Sequence, residues 1–430
     1  MNVCSKVMGA VRNSDVPAVQ AFYKQYLKVR KFAHNWSDVL YLPAYCCFKL
    51  LPKQDKLVAS AYQGRKYGDN LQYIIEELHE MNPDVEIVWL VNGQFHYDLP
   101  PYVRGASFDR RLRRAYEFAT AKVWISTHRM DLAARKTRQQ LFIETWHGGL
   151  GLKRVANDVE KSHGDRAGEA EIKNTSQLAD IFVSNSDHLT AIYRGGFGYK
   201  GKIWKCGYPK NDLLVNGKPG CKEKVCAEYG IDPDSKLLVY APTFRDSFYQ
   251  KGFVRETYDI DFDELQKTME ASWGGKWVIL LRWHPVMINE MKKYGHYYGN
   301  KVVDATEYPD MQELILAADA FISDYSSCIF DAAIREIPCF TFATDFEEYK
   351  GDRGVYYEME ELPFPYAKDN RELMENVRTF DYDAYLQKWN AFKARTGLHE
   401  TGHAAKDIAY VINEFIKGNR KPLEEIKSEP

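Results

Sequence analysis

The sequence has no run of apolar residues as long as the roughly 18 needed to cross a bilayer, and no N-terminal signal peptide. We therefore expect that the chain does not span a membrane. It also has no CxxC pair and no close cluster of cysteine with histidine. Its 8 cysteines are scattered, which favours reduced thiols in a cytosolic compartment over a disulfide framework or a zinc site.

Several motifs of nucleotide chemistry and acyl transfer are absent as well. Neither GxGxxG nor a P-loop ending in GKS or GKT occurs, which argues against a nicotinamide cofactor and a Walker-type ATP site. Nothing resembles a Ser-His-Asp arrangement with a nucleophile elbow. The formal net charge of −2 supplies no bulk attraction for nucleic acid, and we expect no nucleic-acid partner.

The N-terminal segment, residues 1–55, is basic and rich in aromatic residues. The stretch "AFYKQYLKVRKFAHNW" mixes rings and cations at helical spacing, and the apolar "VLYLPAYCCFKLLP" that follows is too short to span a bilayer. Such a segment can lie on an anionic membrane surface with its rings in the headgroup layer. It can equally be a helix packed on the body of the protein with a solvated basic face, and both interpretations remain open.

From residue 56 onward, short apolar runs alternate with stretches of helical period, which predicts α/β architecture with buried parallel strands. The predicted strands of a first doubly wound domain, residues 56–215, are 56–62, 85–91, 122–127, 141–148, 180–186 and 202–209. Proline and glycine then cluster at 213–225. The predicted strands of a second domain, residues 216–380, are 236–244, 276–285, 301–306, 319–327 and 337–344. Residues 381–430 are predicted to be helical, to cross back to the first domain, and to end in a frayed tail.

The unusual residues cluster at the ends of these strands, where ligands of open α/β sheets bind. "ETWHGGLGLK" ends one first-domain strand, and its glycines, including Gly148 and Gly149, allow the backbone to approach a ligand. His147 at the strand tip is expected to face the cleft between the domains and to remove a proton from an alcohol. The structural alternative is a tight strand–helix turn with a hydrogen-bonded histidine.

The second domain carries a matching set of polar residues. In "RWHP", Arg282 and His284 are expected to point the same way and to suit a diphosphate. In "SDYSS", Ser326 and Ser327 are expected to offer hydroxyl and backbone N–H groups at the start of a helix. Further candidates for donor binding are Thr243 and Arg245 in "APTFRDS", and Asp324, which is either structural or a ligand contact.

A possible metal motif lies in "YDIDFDE", which contains Asp259, Asp261 and Asp263. Many glycosyltransferases bind a metal through two such aspartates. However, the motif precedes a helical stretch, where acidic residues commonly cap the first turn. We therefore predict helix capping and no metal site.

Taken together, these motifs resemble the CDP-glycerol glycerophosphotransferase family, which builds teichoic acids and related capsular polymers in bacteria. The resemblance is carried by "YQGRKYGDN", "TWHGGLGLK", "YAPTFRDS", "RWHP" and "SDYSSCIFDAAIREIPCFTF", in the family's order. It implies a GT-B-like fold, with two Rossmann-like domains facing a cleft, a CDP-polyol donor bound mainly in the second domain, and no cofactor. By resemblance, His147 would be the general base, and His284 would contact the donor phosphate with Arg282, Ser326 and Ser327 around the diphosphate. The chain has Gly149-Leu150 where the family commonly has Thr-Pro.

The resemblance also implies a reaction. Glycerol phosphate or ribitol phosphate would pass from CDP-glycerol or CDP-ribitol to a hydroxyl of a lipid-linked or polymeric acceptor, with release of CMP. The expected location is the cytoplasmic face of the bacterial cell membrane, with peripheral attachment to its anionic surface. Two alternatives remain open: a GT-B glycosyltransferase that uses a UDP- or CMP-sugar, and a nucleotide-binding scaffold without catalytic activity.

Overall fold

The computed structural model describes most of the chain after residue 40. The described residues are 41–95, 97–130, 135–159, 166–243, 245, 260–284 and 302–430. Residues 41–48 are helical, and Tyr41 and Tyr45 pack in one core cluster with Trp124. The part of the basic N-terminal segment before residue 41 lies outside the described residues, so its membrane contact stays a prediction. Within the described ranges, no helix is both long and apolar enough to cross a membrane.

The first domain is built on a seven-stranded sheet in which all neighbouring strands are parallel. Its strands are β1 (Gln54–Ser60), β2 (Glu86–Val91), β3 (Val103–Ser107), β4 (Ala121–Ser126), β5 (Leu141–Glu144), β6 (Ile181–Ser184) and β7 (Lys202–Lys205). They lie in the order β3-β2-β1-β4-β5-β6-β7. The central strands are buried on both faces because apolar residues fill both, as expected for a doubly wound sheet.

The second domain repeats this design with a six-stranded parallel sheet. Its strands are β8 (Lys236–Ala241), β9 (Trp277–Leu281), β10 (Val302–Asp304), β11 (Ala320–Ser323), β12 (Cys339–Phe342) and β13 (Tyr366–Ala367). Their order is β10-β9-β8-β11-β12-β13. The strand order changes direction between β1 and β4 in the first sheet and between β8 and β11 in the second. Ligands of such sheets bind at this point, in a crevice at the carboxyl ends of the strands. The predicted α/β, GT-B-like architecture is confirmed.

Helices connect the strands of both sheets. They are α1 (Asp69–Met81), α2 (Arg111–Thr120), α3 (Arg166–Leu178), α4 (Asp187–Arg194), α5 (Asp212–Asn216), α6 (Cys221–Tyr229), α7 (Phe262–Trp273), α8 (Met311–Ala317), α9 (Cys328–Ile334), α10 (Phe346–Arg353), α11 (Asn370–Arg378), α12 (Tyr382–Thr396), α13 (Ala404–Ile416) and α14 (Lys421–Glu425). Short 3₁₀ turns cover Tyr62–Gly64, Ala156–Asp158, Pro209–Asn211 and Met359–Glu361.

The sequence-based strand boundaries differ from the structure at the strands' carboxyl ends. The strand predicted over 141–148 ends at Glu144, and the one predicted over 276–285 ends at Leu281. Both differences have one cause: the motif residues form the loops that line the crevice and not the ladder itself. The prediction also omits β3 and β13. β3 lies at the edge of its sheet with a partly exposed pattern, and β13 has only two residues.

The C-terminal helix α13 packs in the first domain and not in the second. Ala404, Ile408 and Ile412 are fully buried, and they belong to the core cluster that contains Ile74 and Leu78 of α1. The chain therefore completes its first hydrophobic core only after it has built the second sheet. The preceding helix α12 packs in the second core instead, through Trp389.

Polar contacts join the two domains at several points. The segment after the glycine-rich turn forms an antiparallel bridge, Lys153 with Val355, and the Tyr356 backbone N–H donates to the carbonyl of Leu152 at 2.7 Å. Farther along the interface, the ammonium of Lys210 lies 2.8 Å from a carboxylate oxygen of Asp331, with both side chains buried. These contacts hold the two domains together on either side of the crevice.

Candidate active site

The two strand tips that form the first-domain wall of the crevice have unusual backbone conformations. Among the described residues, only six other than glycine have positive φ, and four of them lie here: Tyr62, Gln63, Asp69 and Trp146. Positive φ is costly for residues with a side chain and collects at sites where geometry serves function. Trp146 directly precedes His147, so its left-handed conformation sets the direction in which the chain presents the imidazole.

His147 is half-buried at the tip of β5, and its hydrogen bonding fixes its tautomer. The Nδ1 atom lies 2.9 Å from the backbone carbonyl oxygen of Thr127. A carbonyl only accepts hydrogen bonds, so Nδ1 must carry the proton and donate it. The other ring nitrogen, Nε2, then has a lone pair, which is the state that a general base requires.

The charge state of His147 follows from its surroundings. Burial lowers the pKa of the imidazole below its ordinary value of 6.5. The Thr127 carbonyl and the negative charge of Asp69 act in the opposite direction, while the positive charges of Lys210 and Arg129 lower the pKa further. The net effect is a lowered pKa, so the ring is neutral at neutral pH and ready to accept a proton.

His284 follows β9 in the second domain and remains solvent-exposed. Desolvation by the surrounding protein is nevertheless the largest cause that lowers its pKa, to about 4. The positive charges of Lys153 and Arg65, and that of His147 when it is protonated, lower this pKa as well, so the two predicted histidines interact electrostatically. At neutral pH His284 is therefore uncharged in the protein without ligand.

The serines and glycines predicted from the sequence meet at the same point. A Cβ atom built on Gly148 would lie 3.7 Å from the hydroxyl oxygen of Ser327, so the first-domain turn and the start of α9 are in close approach. Ser327 occupies the N-cap position of α9 but makes no capping hydrogen bond, whereas the Ser326 hydroxyl accepts from the Cys328 N–H at 3.4 Å. At Gly149 a Cβ would lie only 2.8 Å from the Asn185 amide, so the turn has no room for a side chain there.

Arg245 has a different role from the one predicted. Its Nε and Nη2 donate to Asp345 at 2.7 and 2.9 Å, and its Nη1 donates to Asp324 and to the Thr243 carbonyl, both at 2.7 Å. Every guanidinium nitrogen is therefore already used within the protein. Asp324 also accepts from the backbone N–H groups of Thr243 and Tyr325, so this buried carboxylate is a structural anchor. A buried arginine needs such partners, and here Asp324 and Asp345 supply them.

Arg282 and His284 do not form the side-by-side pair that the sequence predicts. Nη1 of Arg282 donates to the carbonyls of Ala305, Thr306 and Tyr308 at 2.5–2.7 Å, and the side chain is buried. The regular strand ends at Leu281, so the rule that alternate strand residues share a face no longer applies beyond it. Arg282 thus braces the turn after β10.

No group of three or more metal-ligating side chains occurs in the described part of the chain. Of the three aspartates in "YDIDFDE", Asp259 lies outside the described residues, and the carboxylate of Asp261 accepts from the Glu264 N–H at 2.9 Å as the N-cap of α7. Asp263 lies in the first turn of that helix. The described aspartates therefore occupy the helix-capping positions that the sequence predicts.

Sequence reasoning missed several residues that surround His147. Tyr62, Asp69 and His128 follow the neighbouring strands β1 and β4, and Lys210 arrives from the 3₁₀ turn before α5. The signal was present in the sequence, because "YQGRKYGDN" and "STHR" also end strands. What the sequence does not reveal is which of these side chains turn toward the histidine.

Comparison with known proteins identifies the family of the chain. Residues 44–414 match the family described as CDP-Glycerol:Poly(glycerophosphate) glycerophosphotransferase. The chain belongs to this family. The resemblance drawn from the motifs at the strand tips is thereby confirmed.

Relatives in this family are 24–31% identical to the chain over the aligned residues. A teichoic acid poly(glycerol phosphate) polymerase of Staphylococcus epidermidis is 31% identical over 85% of this chain and 51% of that protein. One of Bacillus subtilis is 29% identical over 83% of this chain and 48% of its own length. The chain therefore spans about half the length of these two relatives. A teichoic acid glycerol-phosphate transferase of Staphylococcus aureus is 27% identical and is covered over 96% of its length.

Solved structures of the wall teichoic acid polymerase TagF have the same fold. One is a variant with a TM-score of 0.75 and 28% identity, and the match covers 90% of this chain and 97% of that chain. Another structure of TagF, with the same score and identity, is a histidine-to-asparagine variant soaked with CDPG. The comparison supports the GT-B-like arrangement of the two sheets.

Proposed function

We propose that this member of the family transfers glycerol phosphate, or ribitol phosphate, from a CDP-activated donor to a hydroxyl of a lipid-linked or polymeric acceptor. The observation that carries the proposal is the neutral His147, held with Nε2 available at the tip of β5, where the turn meets the start of α9. Relatives named as glycerol-phosphate and ribitol-phosphate polymerases support the class of polyol. The structure of TagF soaked with CDPG supports CDP-glycerol as the donor.

The proposed step is an in-line displacement at phosphorus. Nε2 of His147 takes the proton of the acceptor hydroxyl, and the oxygen forms a bond to the β-phosphorus of the donor. The bond between that phosphorus and the bridging oxygen breaks, and the electron pair leaves with CMP. The proton then passes from His147 to solvent. Catalysis of this kind consists mainly of positioning and electrostatic stabilisation.

The donor-binding side of the proposal rests on polar groups of the second-domain wall and on the glycine-rich turn that faces it. His284 is proposed to donate a hydrogen bond to the donor phosphate, together with the hydroxyls of Ser326 and Ser327. The Thr243 hydroxyl is buried without a hydrogen-bond partner among the described residues, which suits a further donor to the diphosphate. Gly148 is proposed to leave the backbone open to the ligand, whereas Gly149 is packed against Asn185 and is proposed to shape the turn. Arg245, Arg282 and Asp324 are proposed to support this wall from behind.

Several further parts of the proposal depend on the family as a whole. We propose that the enzyme uses neither a metal nor a cofactor. It has no nucleic-acid partner and works at the anionic cytoplasmic face of the bacterial membrane, where a lipid-linked acceptor is presented. The domain limits near residues 55, 215 and 380 are proposed on the same basis, with the two sheets as their centres.

The position of the donor's β-phosphorus after the reaction tests the proposal. We expect incubation with CDP-glycerol carrying ³²P in the β-phosphate to release unlabelled CMP and to leave the label in the polymeric product. A glycosyltransferase that uses a UDP-sugar releases both phosphates as UDP instead. A donor panel of CDP-glycerol, CDP-ribitol and UDP-sugars separates these outcomes, and a chain that consumes none of them acts as a binding scaffold.

The pH dependence of kcat/KM for CMP release follows from the lowered pKa of His147. A general base works only when it is neutral, so the rate is lost as the pH falls through that pKa. We expect the acid limb of the profile to lie below pH 6.5, the ordinary value for histidine, with full activity at neutral pH. A limb well above 6.5 contradicts the assignment of His147 as the base.

A further inference from the structure

His128, which the proposed reaction does not use, is stacked on the catalytic imidazole. The two ring centroids are 4.5 Å apart and the planes differ by only 16°. His128 follows β4, and His147 follows the neighbouring strand β5, so parallel pairing brings the two strand tips together. This is the geometry of face-to-face contact between flat rings and not of a hydrogen bond between them.

Both rings are tied to the same residue. The carbonyl oxygen of Thr127 accepts from His147 at 2.9 Å, and the Thr127 hydroxyl lies 3.2 Å from Nδ1 of His128. Thr127 itself is fully buried, and the His128 backbone N–H donates to the Ser126 hydroxyl at 3.0 Å. The position of His128 relative to His147 is therefore set by a rigid strand tip and not by a flexible loop.

The remaining rings complete an enclosure around His147. Tyr62 packs edge-on against His128 at 5.0 Å and lies 5.7 Å from His147, while the indole of Trp146 lies 4.5 Å from His147. Three rings thus surround the imidazole and restrict its rotation about the side-chain bonds. Of the three, His128 is the one that lies nearly parallel to it.

We propose that His128 is a positioning residue, whose flat face holds the His147 ring in the orientation and desolvated environment that the general base needs. The inference rests on the proposed function of His147. Burial lowers the pKa of His128 well below 6.5, and protonation of His147 lowers it further, so His128 stays neutral.

Among the described residues, the charged and titratable groups that act on the two rings come from several elements. They are Tyr62 and Arg65 after β1, Asp69 at the start of α1, Arg129 after β4, Lys210 before α5, and His284 from the second domain. None of these groups is removed when His128 is replaced. A change in the titration of His147 in such a variant therefore reports the loss of the stacked ring itself.

The test compares His128→Ala with His128→Phe in the full-length chain. Phenylalanine keeps a flat apolar ring, whereas alanine opens the site to water and relaxes the His147 ring. We expect His128→Ala to lower kcat for CMP release about 10- to 100-fold with KM for CDP-glycerol nearly unchanged, because a small misplacement of a reacting group has effects of this size. We expect His128→Phe to stay within about 5-fold of the unsubstituted protein.

The second readout is the pKa of His147, measured by NMR with labelled histidine and no donor present. We expect His128→Ala to raise this pKa toward 6.5, because the main cause that lowers it is burial, and His128→Phe to leave it unchanged. Because no substrate is needed, this result stands or fails separately from the proposed reaction. If His128→Ala does not fold, His128→Gln replaces it, since glutamine also lacks a flat ring face.

Two results overturn the inference. One is a His147 pKa and a turnover that do not change in His128→Ala. The other is an equal loss of turnover in His128→Ala and His128→Phe, which would mean that the ring face is not what matters.

Discussion

Replacing His147 by alanine is expected to lower kcat for CMP release from CDP-glycerol by about 10²–10⁴, the usual contribution of a positioned general base. The proposed base is the lone pair on Nε2, which is available because Nδ1 donates to the Thr127 carbonyl. The donor is proposed to bind mainly in the second domain, so KM for CDP-glycerol is expected to change little. Steady-state assays with a suitable acceptor measure both constants.

The control for this variant is His403→Ala. His403 is an exposed histidine at the start of α13, where it pairs with Asp407, and it belongs to no wall of the crevice. We expect its replacement to leave kcat unchanged. Added imidazole is expected to restore part of the activity of His147→Ala, because the cavity left by the ring can admit a soluble base. Wild-type turnover in His147→Ala would exclude the proposed mechanism.

Replacing Lys210 by alanine is expected to reduce the free energy of unfolding by about 3–5 kcal/mol, since it leaves the Asp331 carboxylate buried without its cationic partner. Lys210 and Asp331 expose only 9% and 5% of their side chains. Asn211 and Gln312 also donate to Asp331, each at 3.2 Å, but neither supplies a charge. Urea denaturation followed by circular dichroism measures the loss.

A matched ion pair on the surface provides the comparison. Lys222 and Asp319 are also 2.8 Å apart, but 31% and 37% of their side chains are exposed. Exposed pairs contribute about 0–1 kcal/mol, so Lys222→Ala is expected to have little effect. Equal losses in the two lysine variants would mean that the burial of the Lys210–Asp331 pair is not important. In a Lys210→Ala/Asp331→Asn double variant we expect part of the lost stability to return, because no buried charge is left alone.

The fold was largely predictable because its signals are local. Apolar runs on both faces mark buried parallel strands, and their alternation with helical stretches fixes the doubly wound class. β3 escapes this reasoning because "VRGAS" contains a partly exposed arginine and a glycine at a sheet edge. β13 was not predicted because two residues are too few to show the alternation or apolar run that marks a strand. The chain's return to the first domain through α13 was expected from helical character and position alone.

The sequence predicted which residues lie at the strand ends of the site, but not which hydrogen-bond partners they have. Gly148 and Ser327 come close because each follows the carboxyl end of a parallel strand, and the two sheets present these ends to the same crevice. The roles of Arg245 and Arg282 depended on partners that the local sequence cannot reveal. Arg245 is bound by Asp345, a hundred residues away in the chain, and Arg282 by the carbonyls of a turn beyond a neighbouring strand. A cation in a motif is therefore weaker evidence for a ligand contact than a histidine or glycine at a strand tip.

The packing of α13 has a consequence for the folding of this protein during its translation. The strands of the first sheet leave the exit tunnel early, but the apolar face of α1 that Ile408 and Ile412 cover must wait until residues 404–416 have been translated. The domain that is synthesised first is therefore the last to become complete. The nascent chain exposes the apolar face of α1 throughout translation of the second sheet. Such surfaces are the ones that chaperones bind.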